Sequence, residues 1–96
     1  MAILSQADIQ TRLRELPGWS LEGNWIRKQF AFKDFPAAVD FVVRLVPGAE
    51  AADHHPDILI NYRKVTLTYT THSEGGLTGK DFAGAAMADQ VSGLPR

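Results

Sequence analysis

Two of the three histidines of the chain stand side by side in AEAADHHPDILINY, residues 49–62. Glu50 lies four residues before His54, and Pro56 follows His55 directly. Imidazoles change charge near neutral pH, so three uses are open: a metal site, an acid–base site, or a polar loop. Pro56 narrows the choice. The residue before a proline is pushed out of the helical region toward extended geometry. His55 must then leave a helix whose last residue is about His54. Glu50 and His54 fall on one helical face, at a helix end that favours positive charge. The spacing predicts that Glu50 supports an imidazolium at His54 while His55 points elsewhere.

His72 continues the alternation of Thr66, Thr68 and Thr70, so it is expected to close a strand on their face. Strands before and after the tight Tyr62-Arg63-Lys64 connection should pair antiparallel. That pairing brings His54, His55 and His72 to one end of a sheet, with Asp81 nearby. Convergence of all three histidines argues against loop residues and caps alone. A metal needs several ligands around one ion, but His54 and His55 diverge and no HExxH pattern is present. No cysteine exists, and Ser5, Ser20, Ser73 and Ser92 lie outside any nucleophile-elbow sequence. The chemistry left is proton movement: a dehydration, a hydration or a tautomerisation.

The elements that must position these groups are legible in outline. Ser5 caps a first helix with a stripe of Ile9, Leu13 and Leu16, stopped by Pro17-Gly18. Two strands near 19–22 and 25–33 flank a turn at Glu22-Gly23-Asn24. In the second, Ile26, Lys28, Phe30 and Phe32 share one parity, opposite Arg27, Gln29 and Ala31. Asp34 caps a second helix with an apolar face of Phe35, Val39, Val42, Val43 and Val46. Pro47-Gly48 predicts that this helix kinks or restarts. DILINY and VTLTYTT form a second hairpin. Thr78 caps a last helix with Asp81 in its first turn, and Phe82, Ala85, Ala86 and Met87 supply its buried side. The expected fold is α+β: an α-β-β-α-β-β-α two-layer sandwich, a four-stranded antiparallel sheet with three helices on one face. Its second face and sheet edges leave room for another subunit.

The bulk composition sets limits. A chain of 96 residues, 45% hydrophobic and 22% charged, makes one soluble globular domain spanning 1–96. The net charge of −1 leaves no basic excess for nucleic acid. Absence of cysteine excludes disulfides and thiolate metal sites and fits a reducing cytoplasm. MAILSQADIQTRLREL turns polar after its first four residues, which fits neither a signal peptide nor a membrane span.

Glu50, His54-His55-Pro56, Tyr62, His72 and Asp81, at their spacing, resemble the signature of the pterin-4a-carbinolamine dehydratases. GWSLEGNWIRKQFAFKDF is similar to that family's first hairpin, and THSEGGLTGKD to its segment leading into the last helix. The resemblance implies a four-stranded antiparallel sheet with three helices on one side, in a homodimer or homotetramer. It implies removal of water from a 4a-hydroxytetrahydropterin to give the quinonoid dihydropterin, without metal or cofactor. The substrate would come from an aromatic amino acid hydroxylase. By position, His54 and His72 correspond to proton-transfer residues, His55 to a binding residue and Glu50 to an acid that holds a histidine. Pro56, Thr71, Ser73, Glu74 and Asp81 fall at substrate-binding positions. Trp19 matches an aromatic of the family, though a hairpin-core role explains it as well. Pro47-Gly48 departs from the plain helix usual in relatives. Two other readings stand beside this one: a non-catalytic dimerisation subunit for a regulatory protein, and a metal-dependent hydrolase.

Overall fold

The computed structural model describes residues 3–95. Helix α1 (Gln6–Arg14) is followed by β1 (Ser20–Glu22), β2 (Trp25–Ala31) and helix α2 (Phe35–Ala52). Then come β3 (Asp57–Asn61), β4 (Lys64–Tyr69), a short 3-10 turn (His72–Glu74) and helix α3 (Gly79–Ser92). The strands form one antiparallel sheet in the order β1-β2-β4-β3. This is the expected α+β sandwich.

Register explains the core. Ile26 pairs with Tyr69, Lys28 with Leu67 and Phe30 with Val65. The five apolar residues of this set are buried against the helices. Arg27, Gln29, Thr66 and Thr68 alternate with them on the opposite face. Strand β3 lies at the sheet edge, and all five of its residues are exposed.

The predicted caps form. The Ser5 hydroxyl accepts from the Asp8 N–H at 3.1 Å, and Asp34 accepts from Ala37 at 2.9 Å. Other expectations need correction. Helix α1 ends at Arg14, so Leu16 is buried from the turn that follows rather than from the helix. Strand β2 ends at Ala31, although Phe32 is still buried beyond it. Of the kink or restart expected at Pro47-Gly48, the restart is absent: α2 is one helix from Phe35 to Ala52. Pro47 removes one N–H, a cost of about 3 kcal/mol that burial along α2 outweighs. Gly48 serves the packing: a Cβ there would lie 2.8 Å from Met87 Cε on α3. The face of α2 in the core is Ala38, Phe41, Leu45 and Ala49, whereas Phe35, Val43 and Val46 are exposed. A helix apolar nearly all round leaves its inward face undecided in sequence. Phe41 takes an inward position, its ring 4.9 Å from that of Phe30 and 5.0 Å from that of Phe32 between centroids. On α3 the buried side is Asp81, Phe82, Ala85, Ala88, Asp89 and Ser92, while Ala86 is exposed.

Candidate active site

The end of α2 sets the directions of the two histidines. The helix stops at Ala52, and Asp53 takes the left-handed conformation with φ 50°. Asp53 N–H donates to Glu50 O at 3.2 Å, and His54 N–H donates to Ala49 O at 3.1 Å. This is a Schellman closure built on an aspartate, a residue that tolerates positive φ. The left-handed step rotates His54 off the face of Glu50. His54 therefore lies outside the helix, and the expected Glu50–His54 pair does not form.

Two separate pairs take its place. His54 Nε2 lies 2.6 Å from Asp81 Oδ1, with side chains 11% and 0% exposed. His55 Nε2 lies 2.6 Å from Glu50 Oε2, with side chains 53% and 68% exposed. Glu50 thus holds a histidine, but the second one. Pro56 begins the path into β3 as expected.

Asp81 belongs to a capping box. Thr78 N–H donates to Asp81 Oδ2 at 2.9 Å, and Lys80 N–H donates to Thr78 Oγ1 at 3.3 Å. Thr71 Oγ1 donates to the same Asp81 oxygen at 2.8 Å and lies 2.9 Å from Thr78 Oγ1. Proton accounting then fixes the network. The one hydroxyl proton of Thr71 is committed to Asp81, so Thr78 donates to Thr71. Asp81 Oδ2 accepts from Thr71 and Thr78, and His54 Nε2 is the ring nitrogen that meets its other oxygen. A buried carboxylate is tolerable here because three donors and a helix N-terminus surround it.

Strand β4 ends at Tyr69, three residues before His72. Thr71 instead bridges Gly76, and His72, Ser73 and Glu74 form the 3-10 turn. His72 therefore does not continue the threonine face. Thr71 ties the base of this turn to Asp81, which places the backbone of His72 beside the His54 network. The His72 and Ser73 side chains are exposed, and Glu74 is half-buried. Among the described residues, no group of three or more His, Asp or Glu is arranged to hold a metal ion. None of the described helices is long and apolar enough to cross a membrane.

His54 and His55 border different clefts. His54 lines a hollow of about 140 Å³ between α2 and α3, with Gly48, Ala52, Lys80, Gly84 and Met87. His55 and Glu50 line another of about 110 Å³ on the other flank of α2, with Val46, Pro56 and Ile58.

Two arrangements escaped the sequence reading. The Tyr69 ring stacks on His54 with centroids 6.1 Å apart and planes at 24°. Its hydroxyl is buried with no hydrogen-bond partner. Burial, and then the charge of Asp81, push its pKa up to about 12. Trp19 is a core residue, as its hairpin position allowed, but it also has a polar role. Its Nε1 donates to Asp89 at 3.1 Å, and Lys28 Nζ pairs with the same carboxylate at 2.7 Å. The signal was available: Lys28 on the apolar parity of β2 demands a buried counter-charge.

Sequence and structural comparisons give the family and the fold. Residues 2–91 match the family described as pterin 4 alpha carbinolamine dehydratase. A Roseiflexus castenholzii protein provisionally named as such a dehydratase is 54% identical over 90 residues, covering 94% of this chain and 97% of that one. A similarly named Chloroflexus aurantiacus protein is 52% identical over 93 residues, covering 97% and 100%. A crystal structure described as a transcriptional coactivator/pterin dehydratase from Brucella melitensis superposes with a TM-score of 0.90 at 35% identity, over 95% and 99% of the two chains. A pterin dehydratase-like protein described as a RuBisCO assembly factor of the alpha-carboxysome shares the fold, with a TM-score of 0.66 at 23% identity over 80% and 89%. From its match along nearly the whole length, the chain belongs to the pterin-4-alpha-carbinolamine dehydratase family.

Proposed function

We propose that the protein removes water from a 4a-hydroxytetrahydropterin by histidine acid–base catalysis, giving the quinonoid dihydropterin. The observation that carries this reading is the His54–Asp81 pair, Nε2 2.6 Å from Oδ1, with the aspartate wholly buried and the imidazole nearly so. Loss of the 4a hydroxyl requires a proton on the departing oxygen as the C–O bond breaks. A second proton leaves a ring nitrogen, so the reaction is a net loss of water with no change of oxidation state. Two imidazoles in different environments suit these two transfers. His54 is the acid in this scheme, because an imidazolium there has its charge matched by Asp81. His72, exposed on the adjacent turn, is the base. His55, steadied by Glu50, binds and orients the pterin, together with Pro56, Ser73 and Glu74, while Thr71, buried and bonded to Asp81, acts through that carboxylate. No metal or cofactor enters the scheme.

The protein would work in the cytoplasm, returning the cofactor of an aromatic amino acid hydroxylase for reduction and reuse. Its apolar edge strand and the helix beside it favour a homodimer or homotetramer: Ile58, Leu59 and Ile60 on β3 and Val43 and Val46 on α2 are all exposed. Light scattering on the wild type and on Leu59→Lys checks the assembly.

The decisive experiment generates the 4a-carbinolamine with a hydroxylase and follows its disappearance with wild type, His54→Ala and buffer. Acceleration by wild type alone is expected; equality of wild type and buffer removes the reading. A second reading, a non-catalytic subunit for a regulator, is favoured by the same apolar edge and by the Brucella relative's description as a coactivator. Partner binding without turnover above the spontaneous rate would select it.

A further inference from the structure

Tyr69 takes no part in the proton transfers above, yet its placement is unusual for a core residue. It is 1% exposed, on the inward face of β4. A leucine or phenylalanine would bury similar apolar surface without an unpartnered hydroxyl, which is costly in a core. Its ring is fixed from three directions. Trp19 lies at 5.8 Å between centroids, tilted by 52°. The imidazole of His54 lies nearly parallel at 6.1 Å. From α3, only a glycine fits: a Cβ at Gly84 would stand 2.5 Å from Tyr69 Cε1 and 3.0 Å from Cζ.

His54 is thus constrained in two independent ways. Asp81 holds the Nε2 edge of the imidazole. That contact fixes one atom but leaves the ring able to rotate about the hydrogen-bond axis. A flat surface beside the imidazole restricts that rotation, because only a near-parallel plane keeps ring contact. We propose that Tyr69 is a positioning residue for His54, its ring setting the imidazole plane while Asp81 holds the edge, with Gly84 giving that ring its room. The kinetic consequence rests on the dehydratase reading; the structural one does not.

The test uses the full chain as wild type, Tyr69→Phe, Tyr69→Leu and Gly84→Ala, with two readouts. One is the NMR signals of the His54 imidazole, assigned by their loss in His54→Ala. The other is kcat and KM for the 4a-carbinolamine. Tyr69→Phe keeps the ring and is expected to keep the His54 signals and a kcat within about twofold of wild type. Tyr69→Leu and Gly84→Ala are expected to shift the signals and lower kcat about tenfold, with KM little changed. Wild-type signals in both of these variants would overturn the proposal, as would a Tyr69→Phe protein impaired as severely as Tyr69→Leu. If Tyr69→Leu does not fold, Gly84→Ala decides. If wild type shows no dehydration, the dehydratase reading fails, and the His54 signals alone settle the role of Tyr69.

Discussion

His54 and His55 share a peptide bond, and each places Nε2 2.6 Å from a carboxylate. Their surroundings are opposite. Asp81 is wholly buried and tied to Thr71 and the first turn of α3, whereas Glu50 stands mostly in water. Equal distances therefore carry unequal energies. An exposed pair is screened and contributes about 1 kcal/mol or less. Removing one member of a buried pair leaves the other without compensation, at about 3–5 kcal/mol. One histidine is held from the protein interior; the other is held at the surface.

Substitutions can break or sharpen this contrast. His54→Ala should lower the dehydration rate most, by about a hundred- to ten-thousand-fold, read from carbinolamine decay. Asp81→Asn should reduce unfolding free energy by about 3 kcal/mol in urea and also lower kcat, since it loosens both the capping box and the imidazole. Tyr69→Phe tests the buried side differently. The Tyr69 pKa rises from 10.0 unfolded to about 12 folded, so its contribution is present below pH 10 and is lost as pH climbs toward 12. Alkaline titration of stability should show a drop of about 2–3 kcal/mol in wild type that is missing in Tyr69→Phe. Glu50→Gln should do least, changing stability by under about 1 kcal/mol and kcat by under about threefold. A Glu50→Gln loss matching that of His54→Ala would erase the distinction between the two histidines.

The strands and caps were legible because they depend on local rules. Alternation through Val65, Leu67 and Tyr69 and the capping residues Ser5, Asp34 and Thr78 are short-range signals that the fold honours. Pro56 rightly separated the histidines. What the sequence hid were choices made by tertiary packing. The inward face of α2 depends on which side meets the sheet, and Pro47 is overridden by burial along the whole helix. The partner of His54 turned on one residue, because the left-handed Asp53 moves everything after it to a new direction. The Asp81 contact spans 27 residues of sequence, and nothing local distinguishes a capping carboxylate from one that also grips a histidine.

That double duty of Asp81 links His54 to the fraying of α3. Each time the first turn of α3 opens, Thr78 N–H is released and the carboxylate loses the geometry that fixes His54. The link must work in both directions, since coupled equilibria are reciprocal. A pterin that engages His54 would draw Asp81 into place and slow hydrogen exchange at Thr78 and Asp81 amides. Those amides, in residues with no exposed surface, would then report occupancy of the site as a change in local opening free energy.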